Sequence, residues 1–261
     1  MSDLTEGRRI YAIGDMHGRL DLVSAMFDRI RRDLSRRPHP QPLVICLGDY
    51  MDRGPECRGV LEALMALRDS ALPARFLLGN HDSYVSAYLR DPDWYDRTYH
   101  WLHDAMGGNA TLASYGVPDA SDLHPAATRD AFAAAFPAEH MAFLDACELG
   151  FQIGGYFFVH AGIRPGVALD AQERDDLIWI REPFLSSSAD FGVKVVHGHT
   201  IVPEVEHHPN RIAVDTGGFR TGRLSCLLLE GEEVGLLTEA GPEPLPVNAG
   251  KPGWRTLWMR R

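Results

Sequence analysis

Five short apolar runs in this chain each lead straight into a segment that carries Asp, His or Asn beside glycine. Arg9–Ile13 leads into Gly14-Asp15-Met16-His17-Gly18, Leu43–Leu47 into Gly48-Asp49-Tyr50-Met51-Asp52-Arg53-Gly54, and Arg75–Leu78 into Gly79-Asn80-His81-Asp82. Further along, Tyr156–Val159 runs into His160-Ala161-Gly162, and Val193–Val196 into His197-Gly198-His199-Thr200. A single Gly-Asp pair is an ordinary turn. Turn chemistry does not explain five such segments at strand ends. In α/β sheets the loops at strand C-termini are where ligands bind, and glycine lets the backbone turn sharply enough to bring carboxylate and imidazole to one point. A fold that satisfies this pattern must align these strand ends along one edge.

The intervening segments support that arrangement. Leu20–Arg32 places Leu22, Val23, Met26, Phe27 and Ile30 on one helical face, and Arg58–Leu67 reads as a second helix. The strand–helix–strand rhythm predicts parallel pairing through right-handed crossovers. Between about Asp82 and Cys147 the chain becomes mostly helical and aromatic (Tyr84, Tyr88, Trp94, Tyr95, Trp101), with turn signals at Asp91-Pro92 and Gly107-Gly108. We read 82–148 as a helical insertion that shapes the pocket. Aromatics at helical spacing are more often core than platforms for a nucleobase. Strands then resume at Phe151–Ile153, Tyr156–Val159, Val193–Val196, Arg211–Val214, Leu224–Glu230 and Val234–Thr238, suggesting a second, partly antiparallel sheet. The expectation is an α/β fold of two mixed β-sheets packed as a sandwich flanked by helices. It spans residues 1–240, with 241–261 a Gly- and Pro-containing tail.

Charge narrows the possible partners. The chain has 36 Asp and Glu against 26 Lys and Arg, a net charge of −10. Nucleic acid and anionic membranes both call for clustered positive charge, so neither is an expected partner. An anionic substrate would have to be drawn in by metal ions or by a few placed arginines. The four cysteines, Cys46, Cys57, Cys147 and Cys226, form no C-x-x-C pair and read as reduced thiols. Met1–Gly7 lacks an apolar signal core and no stretch approaches a membrane span, so the expected location is cytoplasmic.

Mixed carboxylate, imidazole and amide donors without thiolates suit Mn²⁺, Fe or Zn at a reactive site, not a structural zinc site. A carboxylate can bridge two cations about 3.5–4 Å apart, a spacing that activates a water and clamps a phosphoryl group.

The ordered motifs G-D-x-H-G, G-D-x-x-D-R-G, G-N-H-D, H-A-G and G-H-T, over roughly residues 9–230, resemble the phosphoprotein-phosphatase branch of the calcineurin-like metallophosphoesterases. The resemblance implies a hydrolase with two divalent ions, Mn²⁺ being the expected metal. It implies that Asp15 and His17 hold the first ion, that Asp49 bridges, and that Asn80, His160 and His199 hold the second. His81 would be the general acid oriented by Asp52, and Arg53 would grip phosphate oxygens. Leu177-Ile178-Trp179-Ile180-Arg181 resembles the family's W-x-R segment, so Arg181 is the expected second phosphate clamp. Among the two histidines of Val196-His197-Gly198-His199-Thr200, the one before Thr is implied as ligand, leaving His197 as a supporting or core residue. Asp82 stands where many relatives have Glu. Two substrates fit, and the metal core, which handles only the phosphoryl group, does not decide between them: phosphoserine or phosphothreonine in proteins, the favoured reading, and a nucleotide anhydride such as diadenosine tetraphosphate. A silent metal-binding scaffold would have no reason to keep His81 and both arginines.

Overall fold

The structure, a computed structural model, describes residues 3–90, 101–118 and 125–247. Strands β1 (Arg9–Ile13), β2 (Pro42–Cys46) and β3 (Ala74–Phe76) pair in parallel through α1 (Leu20–Arg36) and α2 (Cys57–Arg68), as the strand–helix rhythm predicts. The period-two alternation of β1 and β2 divides the interior. Ile10, Ala12, Leu43 and Ile45 face one core, while Tyr11, Ile13, Val44 and Cys46 face another.

The first of these cores lies between two sheets. Its far side is supplied by Phe151 and Ile153 of β4 (Gly150–Ile153), Tyr156 and Phe158 of β5 (Tyr156–Val159), Val196 of β6 (Lys194–His197) and Ile212 of β8 (Arg211–Ala213). With the edge strand β7 (Glu206–His207) these form a five-stranded mixed sheet in the order β4-β5-β6-β8-β7. The outer face of β5 and β6 is covered by α7 (Arg174–Trp179) and the residues after it. The result is the sandwich of two mixed sheets flanked by helices that the sequence led us to expect.

Two details differ. Helix α1 runs on to Arg36, because Asp33, which breaks the apolar pattern, is buried and satisfied. Its carboxylate accepts from the Tyr11 hydroxyl at 2.5 Å and from the Arg37 guanidinium at 2.8 and 2.9 Å. The last strands, β9 (Cys226–Glu230) and β10 (Glu233–Leu237), join the first sheet, β9 lying antiparallel to β1. Leu227 and Leu229 face the inter-sheet core and Cys226 and Leu228 the helical side, so β9 suits a place beside the central strand. A short β11 (Pro242–Pro244) extends this sheet into the stretch expected as a tail, giving the order β11-β10-β9-β1-β2-β3.

The insertion contributes α3 (Asn80–Arg90), α4 (Gly108–Ser114), α5 (Pro125–Ala135) and α6 (Ala138–Asp145). Tyr84, Tyr88 and Trp101 are buried in the helical-side core with Leu112 and Phe132, as the spacing favoured; Trp94, Tyr95 and the Asp91-Pro92 turn lie outside the described residues. No helix among the described residues is long and apolar enough to cross a membrane.

Ile45, fully buried between the sheets, tests this architecture. Ile45→Ala should cost about 2–5 kcal/mol in chemical denaturation, because the rigid sandwich cannot collapse into the cavity. A cost under about 1 kcal/mol would place Ile45 outside a packed interface.

Candidate metal centre

The five strand-end segments converge. His17 N–H donates to Asp49 O at 2.8 Å, tying the loops after β1 and β2, and Gly198 N–H donates to His160 O at 2.8 Å, tying those after β5 and β6. The turns are strained where the function was expected. Among the described residues the non-glycine positions with positive φ are Glu6 and five site candidates: His17 (42°), Asp49 (51°), Asp52 (71°), Arg53 (68°) and His199 (60°). Each such conformation costs on the order of 1–3 kcal/mol and persists only where its surroundings enforce it.

Asp49 sits at the centre, 2% exposed. Its Oδ1 accepts from the His81 backbone N–H at 2.9 Å and lies 3.4 Å from His160 Nε2, while its Oδ2 lies 3.6 Å from His17 Nε2. Backbone carbonyls set the imidazole tautomers. A carbonyl can only accept, so His17 Nδ1 donates to Met51 O at 2.7 Å and His160 Nδ1 to Leu47 O at 2.8 Å. That turns both Nε2 atoms inward, the arrangement by which metal-ligating histidines are oriented. His199 is oriented the other way: its Nε2 donates to Trp179 O at 3.2 Å, leaving Nδ1 available. His160 Nε2 also lies 3.0 Å from Asn80 Oδ1. Three acceptors facing one point need a positive charge between them. Burial works against a charge on His160, and the Asp49 carboxylate, the Leu47 carbonyl and Asp82 together raise its pKa.

Asp15 completes the cluster through its neighbours. Both its oxygens accept from the His199 backbone N–H, at 3.1 and 3.2 Å. Burial, then Asp215 and Asp49, push its pKa well above the ordinary carboxylate range. Asp215 itself is raised to about 6 by burial, with Asp49 adding to the effect. Sequence reasoning passed over Asp215, although Val214-Asp215-Thr216-Gly217-Gly218 after β8 repeats the glycine-framed signature of the others. Asp82 has a structural task. Its carboxylate accepts from the backbone N–H groups of Tyr50 (2.8 Å), Gly79 (2.9 Å) and Met51 (3.2 Å), clamping the loops after β2 and β3 together. Burial and then Asp49 push Asp82 up to about 7.

Beside this cluster His81 Nδ1 donates to Asp52 Oδ2 at 2.7 Å, joining the residues expected as acid and orienting carboxylate. Arginine has only donors, so Arg53 Nη2 donates to His81 Nε2 at 3.1 Å. The same guanidinium lies 4.5 Å over the Phe219 ring, which meets His17 edge-on at 5.2 Å. Arg181 is exposed, with its charge close enough to act on His199, whose pKa is held well below normal by burial, then by His160 and Arg181. His197 is a core residue, its ring packed edge-on against Phe184 at 5.1 Å and its pKa lowered to about 3 by burial. The structure therefore gathers Asp15, His17, Asp49, Asp52, Arg53, Asn80, His81, His160 and His199, keeps Arg181 exposed near His199, and leaves His197 in the core.

Buried carboxylates and inward-facing imidazoles in this number fit divalent cations better than any protein counter-charge present. The ligand atoms of Asp49, His160 and His199 lie within 4.8 Å of one another, as do those of His17, Asp49 and His81. His81 is the member least suited to hold a cation, because its two nitrogens are already engaged by Asp52 and by the Arg53 guanidinium. Asp15, His17 and Asp49 could hold one ion, and Asp49, Asn80, His160 and His199 a second.

The family model for calcineurin-like phosphoesterases matches residues 8–223, which contain every candidate site residue. This chain belongs to that family. The chain is similar to the symmetrical bis(5′-nucleosyl)-tetraphosphatase of Pseudomonas fluorescens, at 38% identity over 130 residues. That match covers 41% of this chain and 43% of the relative. The same-named protein of Delftia acidovorans is 38% identical over 78 residues, 30% of this chain and 25% of its own. These matches thus span less than half the length of either relative. Among solved structures, a cold-active protein-tyrosine phosphatase of Shewanella sp. superposes with a TM-score of 0.62 at 20% identity, covering 91% of this phosphoesterase and 80% of that chain. One assigned as a diadenosine tetraphosphatase gives 0.59 at 18% identity, covering 96% and 97%. At such identities the likeness is one of fold.

Gly198 tests the packing of the centre. A Cβ there would collide with Asp15 Oδ1, and one at Gly79 with Asp49 Oδ1. Gly198→Ala should therefore weaken Mn²⁺ binding in calorimetric titration by about 10–100-fold, the usual cost of displacing a ligand's support. Unchanged affinity with an intact fold would mean that Asp15 is not held for a metal.

Proposed function

We propose that this phosphoesterase uses two divalent ions, Mn²⁺ being the expected pair, to hydrolyse the phosphoanhydride of a dinucleoside tetraphosphate into two nucleoside diphosphates. The observation that carries the substrate is the name shared by the relatives at 38% identity, symmetrical bis(5′-nucleosyl)-tetraphosphatase. The sequence reading favoured phosphoserine or phosphothreonine, but the protein-phosphatase likeness reported above rests on shared fold, which does not choose a substrate. The site suits nucleotides: Phe219 beside His17 and Trp179 beside His199 are partly exposed aromatic faces on which bases can stack.

Two cations held by this donor set would supply an activated water and neutralise charge on the phosphoryl group. The chain's own residues do the rest. Arg53 and Arg181 offer planar guanidinium forks to phosphoryl oxygens. An arriving phosphate competes for Arg53 and draws it off His81 Nε2, the atom that must carry a proton to the leaving oxygen. Asp52 accepts the Nδ1–H throughout, holding the ring in position and stabilising the imidazolium. Freed of Arg53, His81 Nε2 takes up a proton from solvent; as water adds to phosphorus and loses a proton to solvent, the bridging P–O bond breaks and His81 Nε2 gives its proton to the departing diphosphate oxygen.

Two measurements follow. On one Mn²⁺-loaded preparation, a dinucleoside tetraphosphate should exceed phosphoserine, phosphothreonine and phosphotyrosine peptides in kcat/KM by at least about tenfold. Faster turnover of a phosphopeptide would return the protein to the phosphoprotein reading. His81→Ala should keep its metal but lose on the order of 10²–10⁴-fold in kcat on alkyl phosphates, with a smaller loss on p-nitrophenyl phosphate, whose leaving group needs little protonation. An equal loss across leaving groups would remove His81 from the acid role.

A further inference from the structure

We propose that Trp101 and Thr111, supplied by the helical insertion, are positioning residues that hold Asp52 so that it can orient His81. The proposal rests on the acid role of His81 proposed above. The Trp101 indole Nε1–H lies 3.0 and 2.9 Å from Asp52 Oδ1 and Oδ2, and the Thr111 hydroxyl donates to Oδ1 at 2.6 Å. With His81 Nδ1 on Oδ2, three side-chain donors converge on one carboxylate that is fully buried.

The backbone is gripped as well. Asp52 N–H donates back to the Thr111 hydroxyl at 2.9 Å, so that oxygen both receives from and gives to the same residue. Next to it, Arg53 N–H donates to Gly107 O at 3.1 Å. Asp52 and Arg53 hold left-handed φ values of 71° and 68°, so the chain there needs enforcement from outside. The turn and helix of residues 101–111 supply it.

The plain alternative is that Trp101 is a core ring. It is fully buried, with ring centroids 4.9 Å from Tyr88 and 5.7 Å from Phe132. A buried indole needs some acceptor. Core packing does not, however, require that acceptor to be the carboxylate that faces His81, nor that a threonine hydroxyl ten residues on should meet the same group. The insertion, in which the sequence shows no glycine-framed motif, thus completes the acid pair from outside the sheet edge.

Trp101→Phe keeps the ring and removes the N–H; Thr111→Val keeps the shape and removes the hydroxyl; Thr111→Ser restores it. In Mn²⁺-loaded protein, the first two should lower kcat on alkyl phosphates by on the order of tenfold and scarcely affect p-nitrophenyl phosphate, with KM and metal content unchanged. Thr111→Ser should recover wild-type behaviour. The low-field NMR signal of the His81 Nδ1 proton gives a reading independent of turnover. It should shift or broaden in Trp101→Phe and Thr111→Val and return in Thr111→Ser. Equal losses on every leaving group, tracking a fall in Tm with the His81 signal unmoved, would reduce both residues to packing and overturn the proposal. If His81→Ala itself proves insensitive to leaving group, the acid reading fails. If only the Trp101 and Thr111 variants are insensitive, the acid reading stands and this proposal alone fails.

Discussion

The structure depends on one buried carboxylate shared between two sets of imidazoles. Asp49 has one oxygen towards His160 and the other towards His17, and holds this pose with a left-handed backbone. Burial works to raise its pKa, and the surrounding imidazoles, His160 foremost, hold it below the ordinary range. The surroundings are built to that demand. Gly79 is bare because a side chain would strike Asp49, and Asp82 pins the loop on either side through three backbone N–H groups. The two packed sheets carry these loops to one edge, and their shared apolar core resists any relaxation that would relieve the strain.

What was legible in the sequence follows from the same physics. A short buried strand ending in glycine beside Asp, His or Asn is a local pattern that means little singly, but five in order, with the family resemblance, singled out Asp15, His17, Asp49, Asn80, His160 and His199 as candidate ligands. Asp215 carries that pattern as well, directly after a strand that was read at Arg211–Val214, and could have been read. Trp101 and Thr111 had no such signal. Their roles arise from tertiary docking onto Asp52, at sequence separations of 49 and 59, and a lone tryptophan at helical spacing reads as core. The sheet membership of β9 was equally invisible, since leucine-rich runs suit either sheet until register is known.

The division of labour also explains why the substrate is harder to read than the reaction. In the proposed function the edge residues act on a phosphoryl group and its leaving oxygen, which esters and anhydrides have in common, and discrimination falls to what surrounds them: the partly exposed Phe219 and Trp179 rings, Arg181 just after α7, and the insertion. These parts lack glycine frames and fixed spacing, so their chemistry depends on the folded surface.

The central claim is that Asp49 joins two cations. Electron paramagnetic resonance of the Mn²⁺-loaded protein tests it most directly, because ions about 3.5–4 Å apart across one carboxylate are exchange-coupled. The account predicts a coupled multiline spectrum that develops as the protein takes up its second equivalent of Mn²⁺. A six-line spectrum of isolated Mn²⁺ persisting to saturation would contradict it.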